Sequence, residues 1–102
     1  MSYDVTIGSD SFNYTWNLGA FFRDHSPMGI AGLNGLTGRD GAEYLWAMMR
    51  QINATYDRIG ENGMSYKYNP ANGWGSVVGA VLWLTRIMAA CHANPRKRLS
   101  VS

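Results

Sequence analysis

The chain is poor in the residues that usually announce chemistry. Its 102 residues include one cysteine, Cys91, and two histidines, His25 and His92. A single cysteine excludes an internal disulfide, and two distant histidines provide no metal-ligand spacing. Cys91 and His92 are neighbours on a helical run, so their side chains diverge by about 100° and cannot work as nucleophile and base. Asp24, His25 and Ser26 are consecutive, whereas a catalytic triad converges from separate segments. Asp40 and Glu43 stand one turn apart at a helix start, the ordinary place for acidic residues. No catalytic constellation remains, and the chain reads as a non-enzyme without cofactor or metal.

Charge is scarce as well. Charged residues make up 16% of the sequence, against about 25% in ordinary globular domains. A net charge of +2 is too small to argue for a nucleic-acid partner. The one basic cluster, Arg96-Lys97-Arg98, follows a helix end and complements its dipole. Four Trp and six Tyr exceed the needs of so small a core. With so few charges they imply surface hidden between copies, so a homo-oligomer is expected. The N-terminus lacks a basic-then-apolar leader, which places the expected location in the cytoplasm. The sequons Asn13-Tyr14-Thr15 and Asn53-Ala54-Thr55 then read as chance matches.

What the chain does have is hydrophobic patterning, and residues 1–102 are expected to form a single domain. Tyr3, Val5 and Ile7 alternate with polar residues, Gly8 to Ser11 supplies turn chemistry, and Phe12, Tyr14 and Trp16 alternate again, which is a β-hairpin. Arg98 to Ser102 shows the same period and can add a third strand. Ser26 as cap with Pro27 behind it predicts a short helix ended by Gly35. Thr37 and Asp40 have capping-box spacing. Leu45, Met48, Met49, Ile52, Tyr56 and Ile59 recur at helical steps until Gly60 and Gly63 end the run. Gly63 to Tyr68 is then a loop or short strand. The stretch from Asn69 to Pro95 reads as one helix, apolar almost all round, that must be enclosed by its surroundings. A membrane span is disfavoured by Arg86 in its middle and by Gly73, Gly75, Ser76, Gly79 and Thr85. The expected class is α+β: a small antiparallel sheet with two main helices and one short helix.

Two segments interleave aromatic and amide side chains, as a stacked, hydrogen-bonded small ligand requires. The first is Ser11 to Asn17, with Asn13, Trp16 and Asn17. The second is Tyr66 to Ser76, with Lys67, Tyr68, Asn69, Asn72 and Trp74. Backbone N–H groups at Gly73 to Ser76 and at Thr37-Gly38-Arg39 could serve an anion.

Asn13-Tyr-Thr-Trp-Asn17, Asn69-Pro-Ala-Asn-Gly-Trp-Gly75 and Cys91-His-Ala-Asn-Pro95 together resemble small accessory proteins encoded by bacteriophages of actinobacteria. The resemblance covers nearly the whole chain and carries over no activity or catalytic residue. It implies a protein that acts stoichiometrically on a host factor, as anti-defence inhibitors and nucleotide sponges do. The functional expectation is therefore sequestration of a small anionic nucleotide-like messenger. Trp16, Tyr68 and Trp74 would stack, Asn13, Asn17, Asn69 and Asn72 would read edges, and Arg39 and Lys67 would meet phosphate. The alternatives are an inhibitor that masks a host protein and a structural component of a virion.

Overall fold

Alternation of side chains settles the first fifteen residues. In the computed structural model, which describes residues 1–102, β1 (Ser2–Ile7) pairs antiparallel with β2 (Asp10–Thr15). Tyr3 stands opposite Tyr14 and Val5 opposite Phe12. The turn is tighter than expected, because Asp10 and Ser11 already pair with Ile7 and Thr6. Gly8, at φ 59°, supplies the positive φ that a two-residue hairpin turn needs. β3 (Ser100–Val101) joins the other edge of β1, giving the order β2-β1-β3. The fold is α+β, a three-stranded antiparallel sheet with helices.

Trp16 leaves the strand pattern. Thr15 caps a 3-10 turn over Trp16–Leu18, its hydroxyl accepting from the Asn17 N–H. A short helix, α1 (Gly19–Asp24), then buries Phe21 and Phe22. The helix expected from Ser26-Pro27 is replaced by a 3-10 turn at Gly29–Leu33. There the Ser26 hydroxyl donates to the Phe22 carbonyl and accepts from the Gly29 N–H, so it closes α1 onto the turn.

The long helix α2 (Gly38–Tyr68) starts as its capping residues predict, with the Thr37 hydroxyl accepting from the Asp40 N–H. Its inward stripe is Ala42, Leu45, Met48, Ile52 and Thr55. The run does not end at Gly60 and Gly63. Gly60 adopts φ 73° and ψ 176°, which kinks the chain, and helical structure resumes through Tyr68. Residues 63 to 68 are thus neither loop nor strand. A glycine takes this conformation without steric cost, and the buried anchors Met64 and Tyr68 hold the second arm in place.

The apolar run also needs correction. Only Val77–Ala93 is helical (α3), capped by Ser76, whose hydroxyl accepts from the Gly79 N–H. Gly73 and Gly75, at φ 75° and 90°, keep the preceding residues out of the helix. α3 is not enclosed all round. Ala80, Trp83, Leu84, Ile87 and Cys91 face the core, while Val78 and Leu82 on the far side are open. No helix is long and apolar enough to cross a membrane.

The core lies between the α2–α3 pair and a layer made by the sheet and α1. Trp83 is its centre, with ring centroids of Tyr14, Phe22 and Tyr3 at 5.4, 5.7 and 6.2 Å. Gly79 lets the Tyr14 hydroxyl approach α3, since a Cβ there would collide with it.

Candidate functional site

The two aromatic–amide segments meet at one end of the sheet. The Asn17 amide donates to Asn72 Oδ1 and to the Trp74 carbonyl, both at 3.3 Å. The Tyr14 hydroxyl donates to the Ser76 carbonyl and accepts from the Ser76 N–H, both at 3.0 Å. Asn72 Oδ1 also accepts from the Trp74 N–H at 3.0 Å, the side-chain turn that asparagine makes readily. Gly75 at φ 90° leaves room for Thr15 and Leu18, which a Cβ would strike. The result is an open cleft of about 800 Å³.

Asn13, Trp16, Asn17, Asn72 and Trp74 line that cleft, with Ser2, Thr15 and Gly75. Trp16 is 45% exposed and Trp74 72% exposed, so both indoles present ring surface to solvent. Much of the amide chemistry is already engaged. The Asn13 amide donates across the hairpin to Ser2 Oγ, the Tyr3 carbonyl and Asp4 Oδ1. Three side-chain amide atoms have no partner within the chain, the acceptors Oδ1 of Asn13 and Oδ1 of Asn17 and the donor Nδ2 of Asn72, and the indole N–H groups of Trp16 and Trp74 are also without one. They stand beside two exposed aromatic faces. No charged side chain lines the cleft.

The other four expected residues are elsewhere. Tyr68 is buried, and its hydroxyl donates to Asp24 Oδ2 at 2.7 Å. Burial first, then the bond to Asp24, push its phenol up to about 12. Its ring packs edge-on to Phe21 at 5.3 Å, so it provides core rather than a stacking face. The Lys67 ammonium lies 5.3 Å above that same ring. Asn69 Oδ1 accepts from the Val77 N–H at 2.8 Å and so caps α3. Arg39 sits at the start of α2, beside a hollow of about 320 Å³ that includes Trp46, Met88 and His92.

The expected anion sites are largely occupied by the chain itself, the Gly75 N–H on the cleft wall being left without a partner. At the start of α2, Gly38 N–H donates to the Lys97 carbonyl at 2.7 Å and Arg39 N–H to the Pro95 carbonyl at 3.0 Å. In the second segment, the N–H groups of Gly73, Trp74 and Ser76 donate to the Pro70 carbonyl, Asn72 Oδ1 and the Tyr14 hydroxyl.

Sequence reasoning missed Tyr14 as the residue that joins the two segments. Its alternation marks it only as inward-facing, and its partner lies 62 positions away. It also missed His25, which is buried with Nδ1 2.6 Å from the Phe21 carbonyl and Nε2 2.9 Å from Thr55 Oγ1. That pair ties α1 to α2 and does not reach the cleft. Cys91 is buried, and burial pushes its thiol up, away from the thiolate that reactivity requires. Comparison with known protein families, with curated proteins and with solved structures finds no match to this chain.

Proposed function

We propose that the protein is a non-enzymatic binding protein that sequesters a small nucleotide-like ligand by its base. The observation that carries this reading is the cleft itself. Two exposed indoles stand beside two free amide acceptors and one free amide donor, held by a strand end, a turn and a loop that are already hydrogen-bonded in place. A base–aromatic stack contributes about 1–3 kcal/mol, and unpaired amide atoms choose among bases by the pattern of their edges. Loops fixed before binding lose little further entropy on ligand capture.

The phosphate half of the expectation changes. Arg39 and Lys67 are remote from the cleft, so recognition rests on the base, and the phosphates extend into solvent. With its resemblance to phage accessory proteins, the role that fits is the removal of a host signalling nucleotide from circulation.

Calorimetric titration with nucleosides, mononucleotides and cyclic dinucleotides tests the proposal, together with mass spectrometry of small molecules released on denaturation. The expected result is saturable binding that quenches tryptophan fluorescence, with a nucleoside and its monophosphate differing little in affinity. Absence of binding across the series, or a host protein recovered in place of a small molecule, would move the assignment to a protein-masking inhibitor.

A further inference from the structure

The outer face of the α2–α3 pair carries a period that the core does not use. On α2, Arg39, Glu43, Trp46, Arg50, Asn53 and Asp57 follow one another at steps of four and three, and all are exposed. On α3, Val78, Leu82, Thr85, Ala89 and His92 do the same. Residues at these steps share one side of a helix; on α2 that side is charged around a single exposed indole, Trp46, and on α3 it carries the exposed Val78 and Leu82. The core already occupies the opposite side of both helices, so these two stripes have no partner within the chain. Trp46, Val78 and Leu82 are 58%, 56% and 55% exposed on them. Between the stripes lie two hollows of about 320 and 180 Å³, with Trp46 and Met88 at the first and Leu82 and Tyr56 at the second.

The order of charges indicates what covers this face. Within the α2 stripe the signs alternate: Arg39, Glu43, Arg50, Asp57. A second copy laid antiparallel, with a two-fold axis between Trp46 and Ala47, sets Glu43 against Arg50 of the second copy, and the reciprocal pair follows by symmetry. Arg39 then comes within one helical turn of Asp57 of the second copy, a span that its long side chain covers. Trp46 falls near the axis, against its own counterpart. Met88 lines the same hollow as Trp46, so the axis crosses α3 at that level. Leu82 then meets His92 of the second copy, and Thr85 meets the small Ala89. A parallel copy in register would place Glu43 on Glu43 and Arg50 on Arg50. Self-complementarity of this kind belongs to an isologous interface.

We infer that a second copy of this chain docks on the outer face of α2 and α3, forming an antiparallel four-helix dimer through the Glu43–Arg50 pairs and the Trp46–Leu82 surface. The inference does not depend on the ligand assigned to the cleft.

Sedimentation velocity over a concentration series, with charge-swapped variants, tests it. The wild-type chain is expected to sediment at twice its chain mass. Glu43→Arg and Arg50→Glu should each weaken the dimer at least about tenfold, because each places like charges together twice across the axis. Combining them restores opposite charges and should return the dissociation constant to near the wild-type value. These side chains are exposed, so at concentrations low enough for wild type to be monomeric each variant should melt as wild type does, which separates lost association from lost folding. A chain that stays monomeric at every concentration overturns the inference. So does a double variant that associates no better than the singles.

Discussion

The cleft and the outer helical face are both rich in exposed aromatic residues, yet they are built in opposite ways. The cleft is assembled from a strand end, a 3-10 turn and one loop, and its shape depends on side-chain hydrogen bonds such as Asn17 to Asn72 and Tyr14 to Ser76. Most of its polar atoms are committed to holding it open. The helical face needs no such support, because backbone hydrogen bonds within α2 and α3 fix its geometry. Its side chains are free to be chosen for a partner. Residues that cluster in a motif are therefore partly occupied with their own architecture, whereas residues that recur on an unused period are available. The cleft suits a small rigid ligand, and the face suits a long helix pair.

The largest effect should come from opposing the two sides of α3. Leu84 is fully buried, and Leu84→Asp places an unpaired carboxylate in the core, costing at least about 4 kcal/mol. Most of the stability of a domain this size would be lost, and circular dichroism should show an unfolded chain. Leu82→Asp, two residues away on the open side, should change stability by no more than about 0.5 kcal/mol. That figure applies at concentrations where the chain is monomeric, and self-association should weaken because apolar area is removed from the interface. Equal unfolding by both substitutions would show that α3 is enclosed on every side after all.

The two tryptophans of contrasting exposure sharpen the same comparison. Trp83→Ala removes the centre of the aromatic core and should cost about 3–5 kcal/mol. Trp74→Ala in the cleft should leave the melting curve nearly unchanged while weakening nucleotide-type binding by about 1–3 kcal/mol. Thermal unfolding and calorimetry on both variants separate a core plug from a stacking surface. A Trp74→Ala protein that melts far below wild type would assign Trp74 to the architecture of the loop.

Much of the fold was legible because it is written in short-range periods. The alternation of Tyr3, Val5 and Ile7 gave the strand, Thr37 with Asp40 gave the start of α2, and the tail gave the third strand. The continuation past Gly60 was not legible. Glycine stops a helix by default, and only the burial of Met64 and Tyr68 against distant elements carries the chain onward. The closed face of α3 was over-read for a related reason. Hydropathy counts apolar residues, while burial depends on which of them share a side with Trp83 and Leu84. The convergence of Asn13, Trp16, Asn17, Asn72 and Trp74 on one cleft was legible because the two segments share one composition. Tyr68 and Asn69 were misjudged because their partners, Asp24 and Val77, are set by tertiary structure and local capping.

Alkaline pH should loosen the tie between α1 and the second arm of α2. The Tyr68 phenol, pushed up to about 12, is protonated in both states below pH 10, where its bond to Asp24 contributes fully. As pH rises through 10 the unfolded chain loses that proton first, so stability falls until the folded phenol ionises near 12. Burial raises Tyr3 and Cys91 in the same direction. Denaturant midpoints should therefore drop between pH 9.5 and about 12, and Tyr68→Phe should flatten part of that drop. An identical alkaline slope in Tyr68→Phe would remove Tyr68 as its source.

The smallest expected effect is the most discriminating for the cleft. If phosphate were gripped by Arg39 or Lys67, replacing either with alanine would weaken binding of a nucleoside monophosphate and reduce its dependence on salt. The geometry argues otherwise. Arg39 lies at the start of α2 beside Trp46 and Met88, and Lys67 rests on the ring of Tyr68. Neither lines the cleft. Arg39→Ala and Lys67→Ala should thus leave the affinity for a nucleoside and for its monophosphate within experimental error of wild type at low and high salt. Arg39→Ala should still weaken self-association slightly, since Arg39 belongs to the outer stripe of α2. Screened surface pairs contribute about 0–1 kcal/mol, so this change is best read as a shift in the dimer dissociation constant at low ionic strength. If Lys67→Ala instead lowers monophosphate affinity alone, the phosphate reaches beyond the cleft to the second arm of α2. The ligand would then be held by its charge as well as by its base.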